Sequence, residues 1–401
     1  MEMREQRGLE IAAKKKLQQK GDLWLVPSTT GHGTYIVDYE PATCTCPDYE
    51  LRREPCKHVY AVEFTIRREE TTASGTVTET ITYRQEWAAY NAAQTNEKER
   101  VAVLLRDLCA AVDGPVQQRG RPRLPLSDAI FCAVMKIYCG MSARRTDSDL
   151  RDFAARGFID KAPHFNSVLN ALENPDLTPF LKAMIEESAA PLATLETDFA
   201  ADSSGFSTCI YDRWFSHKYG REITRSQWVK AHVMVGTKTN VITSAEITES
   251  RVHDSRMLPE LLETSAKRFA MKRVSADKGY LSQMNVQAIT NHGAEPFISP
   301  KANTRLGVTH DSNGFKAHSW NKMLAYYQYR RDDFLAIYHR RSNVETAFHM
   351  IKAKFGGRIR SKTEVAQVNE ILCKVLCHNL CVLVQSFYEL GIEAKFWKGA
   401  A

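Results

Sequence analysis

The chain has no uninterrupted apolar run of 18 residues, so no transmembrane helix is expected. Its first residues include Glu2, Arg4, Glu5 and Arg7 and no apolar stretch, which speaks against a signal peptide. Cysteine is sparse, ten in 401 residues, too few for a disulfide-held scaffold. Three of the ten have metal-type spacing, and the other seven are expected to be reduced thiols in a cytosol. There is no internal repeat and no long low-complexity tract.

What is present is a length of 401 residues, 43% of them hydrophobic. That exceeds one compact core and suits about two to four domains. The net charge of +7 favours a nucleic-acid partner weakly, but its distribution says more. Between Arg330 and Lys362 nine Lys and Arg residues face only Asp332, Asp333 and Glu345. A solvated helix face is the plain reading of such a run.

Four residues in that region stand at offsets 0, 3, 7 and 14: Tyr338, Arg341, Glu345 and Lys352. On one helix, at about 100° per residue, they fall within an arc of roughly 60°. Val344, Phe348, Ile351 and Phe355 form an adjacent apolar stripe, so the helix packs by one shoulder and presents chemistry from the other. A carboxylate flanked by cations suits a metal ion that must meet a phosphodiester. Cys373, Cys377 and Cys381, with His378, also recur at helical spacing, but in so apolar a segment they read as core.

The chain divides by texture. Residues 1–68 hold a basic helical lead (Lys14, Lys15, Lys16, Lys20), strand-like runs at 22–27 and 34–39, a Cys/His cluster and an apolar helical run. Residues 69–125 read as a linker with a helix over 98–112 and the arm RGRPR at 119–123. Residues 126–195 read as short helices with candidate caps Ser127, Thr146 and Thr178. Residues 196–395 read as a mixed α/β domain: a strand into a loop at 195–206, a hairpin over 228–236 and 241–248, a helix over 257–269, a strand over 273–276, a helix over 284–292, a strand over 297–299, then long helices.

In the first unit Cys44-x-Cys46 and Cys56-x-His58 are separated by nine residues. Three thiolates and an imidazole satisfy tetrahedral zinc, and four protein ligands leave no open position for water, so the zinc is expected to be structural. CTCPDY followed by CKHVYAV, after two strands, resembles a SWIM zinc finger over roughly residues 20–65. The resemblance implies zinc on Cys44, Cys46, Cys56 and His58 and a role in binding DNA or protein.

If Glu345 serves a metal it needs partners, since two-metal phosphoryl chemistry wants about three converging carboxylates. Asp202 ends the run TDFAAD and Asp277 ends RVSAD, each before a Gly-containing turn. Alone, either could be a turn residue. Asp198 competes with Asp202 but reads as lying inside the strand. Strand-Asp, strand-Asp and helix-Glu, spaced by 75 and 68 residues, resemble the DDE transposases of bacterial insertion sequences, in the group carrying Y-x2-R-x3-E-x6-K. DKGY around Asp277 is typical of them, and the segment from Gly120 to Leu150 resembles the helices before their catalytic domain, whereas ADSSGFS departs somewhat from their pattern.

That resemblance, over about residues 120–390, implies an RNase H-like fold with Asp202, Asp277 and Glu345 holding Mg²⁺ or Mn²⁺. It implies that Tyr338, Arg341 and Lys352 contact phosphates at the transposon end, that the chain cuts DNA and transfers the freed 3′-OH, and that it pairs as a homodimer on double-stranded DNA in a prokaryotic cytoplasm, at the nucleoid. Arg119 and Arg121 in the RGRPR arm read either as minor-groove contacts or as a basic linker. Trp214, Trp228, Trp320 and Tyr280 could stack on a base or sit in the core. Three alternatives stay open: a nuclease of the same fold that does not join, an inactive DNA-binding scaffold, and a recombinase using Tyr338 as nucleophile.

Overall fold

The computed structural model describes residues 4, 7–8, 11–12, 17–20, 23–28, 33–39, 41–73, 86–114, 123–208, 228–301, 303–304, 307 and 318–397. They form two compact units, Met1–Arg84 and Gln85–Ala401, each with its own core. Lys14–Lys16, Trp214 and the arginines Arg119 and Arg121 lie outside the described residues.

The first unit is an antiparallel sheet in the order β1 (Gln18–Lys20), β2 (Leu23–Pro27), β3 (Thr34–Asp38) and β4 (Thr43–Cys44), followed by α1 (Pro47–Arg52) and α2 (Lys57–Ala73). Alternation decides its faces: Trp24, Val26 and Val37 point inward while Leu23 and Ile36 stay exposed. Lys20, expected in a helical lead, is paired in β1 opposite Leu23. Helix α2 continues past residue 69, where a linker is expected to start, to Ala73.

The second unit opens with α3 (Trp87–Cys109), α4 (Leu126–Tyr138), α5 (Ala143–Ala155), α6 (Phe165–Glu173) and α7 (Leu177–Ala189). Helix α3 starts eleven residues before the expected 98: its alanine-rich first turns suit a helix although they carry little hydrophobic periodicity. The expected caps are also displaced. Ser127 and Thr146 lie inside their helices, where the Thr146 hydroxyl donates to the Ser142 carbonyl (3.0 Å), and the Thr178 hydroxyl donates to Asn369 (2.8 Å).

Then follow β5 (Asp198–Ser207), β6 (Trp228–Gly236), β7 (Ile242–Glu249), α8 (Leu258–Ala266), β8 (Arg273–Ala276), α9 (Gln283–Asn291) and β9 (Glu295–Ile298). The sheet order is β7-β6-β5-β8-β9, with β5, β6 and β7 antiparallel and β8 and β9 parallel to β5. Counted within the domain this is 3-2-1-4-5, the RNase H-like arrangement. The KTN turn closes the β6–β7 hairpin with Asn240 at φ 63°.

After the sheet come α10 (His318–Tyr329), α11 (Arg331–Tyr338), α12 (Ser342–Phe355) and α13 (Glu364–Leu390). The pleat splits β5 between two cores. Ala200 and Phe206 join Val233, Val344, Ile351 and Leu376 on one face, while Phe199 and Ala201 join Met234, Leu262, Val274 and Phe297 on the other. Helix α13 contains an 18-residue window of mean hydropathy 1.5, yet 78% of that window is buried, so it is a core helix. Cys373 and Cys377 are fully buried in it, as their apolar surroundings predict. Asn379 fixes it to β7 by accepting from the Ile242 amide (2.9 Å) and donating to the Ile242 carbonyl (2.7 Å). Gly391, at φ 67°, ends it.

A buried ion pair staples the strap that follows α12. Lys374, lying 3.5 Å from Glu370, donates to the carbonyls of Gly356 and Arg358, and Glu370 accepts from the amides of Arg360 and Ser361. Both side chains are 2% exposed. Glu370→Ala leaves a buried ammonium uncompensated and is expected to destabilise the unit by about 3–5 kcal/mol, read from the midpoint of urea denaturation at unchanged slope.

Candidate active site and metal centre

The first strand carboxylate is set by register. Parallel pairing of β5 with β8 ends at Ala201 opposite Ala276, so the next residues, Asp202 and Asp277, are neighbours on adjacent strands. Ala201 and Ala276 face the same core, and alternation therefore sends both Asp side chains to the opposite face, toward α12. Asp202 is not at the end of its strand as expected. The strand continues to Ser207, because antiparallel pairing with β6 persists through Ser207 opposite Trp228. Asp198 begins the strand and its Oδ2 is paired with Arg273 (3.3 Å) and Arg340 (2.9 Å), away from the other acids.

The four residues expected on one helix are distributed over three segments. Tyr338 ends α11, Arg341 lies in a 3-10 turn (His339–Arg341), and Glu345 and Lys352 belong to α12. The backbone stays right-handed helical through Tyr338 and Arg341, so the residues remain on one side although the helix is interrupted.

Arg341 lies between two of the acids. Its Nη1 is 3.2 Å from Asp202 Oδ2 and its Nη2 is 2.9 Å from Glu345 Oε1. Its guanidinium lies 5.9 Å from the centre of the Tyr338 ring, which stacks on buried Phe334. Burial pushes the Asp202 carboxyl above its ordinary value; the Ser203 amide and Arg341 pull it down, and Asp277 and Glu345 push it up. Glu345 is the open member, with its side chain 60% exposed. Lys352 donates to the Ser204 hydroxyl (2.6 Å) and lies 5.2 Å from the Phe206 ring centre, so a second cation stands two residues along β5 from Asp202. Burial lowers the Lys352 pKa.

Of the aromatics, Tyr280 is buried and Trp320 packs against the second core. Trp228 remains 38% exposed and packs its ring against Gly205, where any side chain would collide with it.

In the first unit Cys44 comes from β4, Cys46 caps α1, and Cys56 and His58 open α2. All four are buried and their ligand atoms lie within 4.8 Å of one another, the sole such group among the described residues. The Asp202, Asp277 and Glu345 oxygens are thus set wider than the finger's ligands, with Arg341 occupying space between two of them. His58 turns Nδ1 toward Cys56 (3.7 Å) and Cys44 (3.9 Å). Hydrogen bonding from Cys44 pushes the Cys56 thiol down to about 3, the thiolate form that a soft cation takes.

Residues 194–380 match the family model described as the transposase DDE domain. Residues 35–66 match the family model described as the SWIM zinc finger. The chain therefore carries a transposase DDE domain behind an N-terminal SWIM finger. The cryo-EM structure of a piggyBac transposase synaptic complex with hairpin DNA aligns over 74% of this chain and 74% of its own, at 10% identity and a TM-score of 0.36.

Three further contacts carry no local signal in the chain: Arg341 between Asp202 and Glu345, Ser204 under Lys352, and Ser203 on Asp254. Arg341→Gln is expected to move the Asp202 titration to higher pH, because removing a cation withdraws support from the charged carboxylate. Carboxyl-carbon NMR across the pH range reads the direction.

Proposed function

We propose that this transposase cuts DNA at transposon ends and transfers the freed 3′-OH to target DNA at a site built by Asp202, Asp277 and Glu345. The observation that supports this most is the Ala201–Ala276 register, which sets two carboxylates side by side beneath the helix that carries the third. Three carboxylates are hard oxygen donors that fit Mg²⁺ or Mn²⁺. Such ions, when bound, activate the attacking oxygen and stabilise the leaving one. Asp202 is fixed for that role by the Ser203 amide (2.8 Å) and Glu345 by its place in the first turn of α12.

Arg341, Tyr338 and Lys352 act on the DNA backbone. Arg341 neutralises Asp202 and Glu345 in the resting chain, and its fork suits a phosphate once those acids have another cation. Tyr338 lies beside the guanidinium, and burial pushes its half-buried phenol up. Lys352 meets a further phosphate, and the RGRPR arm, through Arg119 and Arg121, contacts a minor groove.

The finger holds a structural zinc on Cys44, Cys46, Cys56 and His58 and engages DNA or a protein partner. We place the protein on double-stranded DNA as a homodimer, in the cytoplasm at the nucleoid. The domain plan is a finger over 1–68, a linker with its basic arm over 69–125, DNA-binding helices over 126–195 and the catalytic domain over 196–395.

A supercoiled plasmid bearing the transposon ends, incubated with Mg²⁺, is expected to give joined products. Nicks alone would favour a nuclease without strand transfer. Asp277→Asn should lower either activity by at least about a hundredfold, since several kcal/mol of charge stabilisation are lost. Elemental analysis should find about one zinc per chain, absent from Cys56→Ser, because four ligands close one tetrahedral site.

A further inference from the structure

On the face of β5 away from Asp202, one carboxylate oxygen gathers several partners. Asp254 Oδ1 accepts from the Ser203 hydroxyl (2.9 Å) and from Lys230 Nζ (2.8 Å), and His232 Nδ1 lies 3.5 Å from it. Lys230 also donates to the Val252 carbonyl (3.1 Å), tying the loop after β7 down to β6. His232 is fully buried, donating to or accepting from Thr248 through Nε2 (2.8 Å).

The next residue of the same turn is fastened elsewhere. Asn285, fully buried, donates through Nδ2 to the Ser255 carbonyl (3.0 Å), the Ser255 hydroxyl (2.8 Å) and the Tyr280 carbonyl (2.8 Å). The Tyr280 amide in turn donates to the Asp277 carbonyl (2.9 Å). The short Asp254–Arg256 turn is therefore joined on one side to the residue after Asp202. On the other it is joined to the turn that begins at Asp277.

We propose that this turn is a positioning bracket for the two strand carboxylates, with Asp254 and Asn285 as its fasteners, holding the Asp202–Asp277 separation against their mutual repulsion. The proposal rests on the reading of those two acids as ligands of a divalent cation. Pairing between β5 and β8 ends at Ala201 and Ala276, one residue short of the acids, and although β6 still holds Asp202 the ladder alone leaves Asp277 free to swing. The bracket takes over where the ladder stops. Asp254 is a positioning residue in this scheme, reaching the reacting groups only through Ser203, as Asn285 reaches them only through Tyr280. A helix cap or an isolated surface ion pair would not need Ser203, Lys230 and His232 around one oxygen, nor a buried amide welding its neighbour to the second acid's turn.

The test is Mn²⁺ binding followed by electron paramagnetic resonance on the full chain, with DNA cleavage measured against Mn²⁺ concentration in parallel. Asp254→Ala is expected to raise the half-saturating Mn²⁺ concentration about tenfold, with cleavage regained at high Mn²⁺. Ser203→Ala, which removes one hydroxyl and keeps the fold, should shift it in the same direction. A purely structural role would lower thermal stability and active fraction without moving the Mn²⁺ midpoint. Unmoved midpoints in both variants, while Asp277→Asn abolishes binding, would overturn the bracket alone. An Asp277→Asn chain that binds Mn²⁺ like the parent would overturn the assignment of the acids beneath it.

Discussion

The catalytic half of this protein depends on four consecutive parallel pairings between β5 and β8, from Asp198 opposite Arg273 to Ala201 opposite Ala276. A slip by one residue would turn every side chain of β8 to the wrong face, burying Asp277 among apolar groups and exposing Val274. Because Phe199, Ala201, Val274 and Ala276 all lie in one core, such a slip carries a large hydrophobic cost. The register is thus held by residues that do no chemistry.

Around that register the charges are arranged to be tolerable before DNA arrives. Asp202 and Asp277 are neighbours on adjacent strands, and Arg341 stands between Asp202 and Glu345 of α12. The strap after α12 is anchored by Glu370 and Lys374 and by pairing with the end of β5, where the Ser207 amide donates to the Gly357 carbonyl and the Ile359 amide to the Ser207 carbonyl. This fixes α12 at its C-terminal end, so Glu345 and Lys352 are placed by packing remote from the site.

Much of this was legible in the sequence. RVSAD followed by KGY reads as a strand delivering Asp277, and the structure ends β8 at Ala276. The hairpin around KTN and the Cys/His grouping were equally plain, because turn residues and metal spacings are local signals. Asp202 was harder. DSSG looks like a loop, and only pairing with β6, more than twenty residues away, keeps it in a strand. The break between Tyr338 and Ser342 was hidden because its residues remain right-handed and carry no Gly or Pro. Asp254 carries no local signal, since its partners come from β5 and β6.

Helix α13 supplies the centre of one core shared by the early helices and the sheet: Ile130, Phe131 and Leu181 meet Leu372, Leu376 and Leu380, which also meet Val233 and Val235. The segment completing the interior therefore follows every other helix and strand of its unit in the chain. A nascent chain halted before it has helices and strands but little to bury them against, so this unit gains a working shape only once α13 has been made.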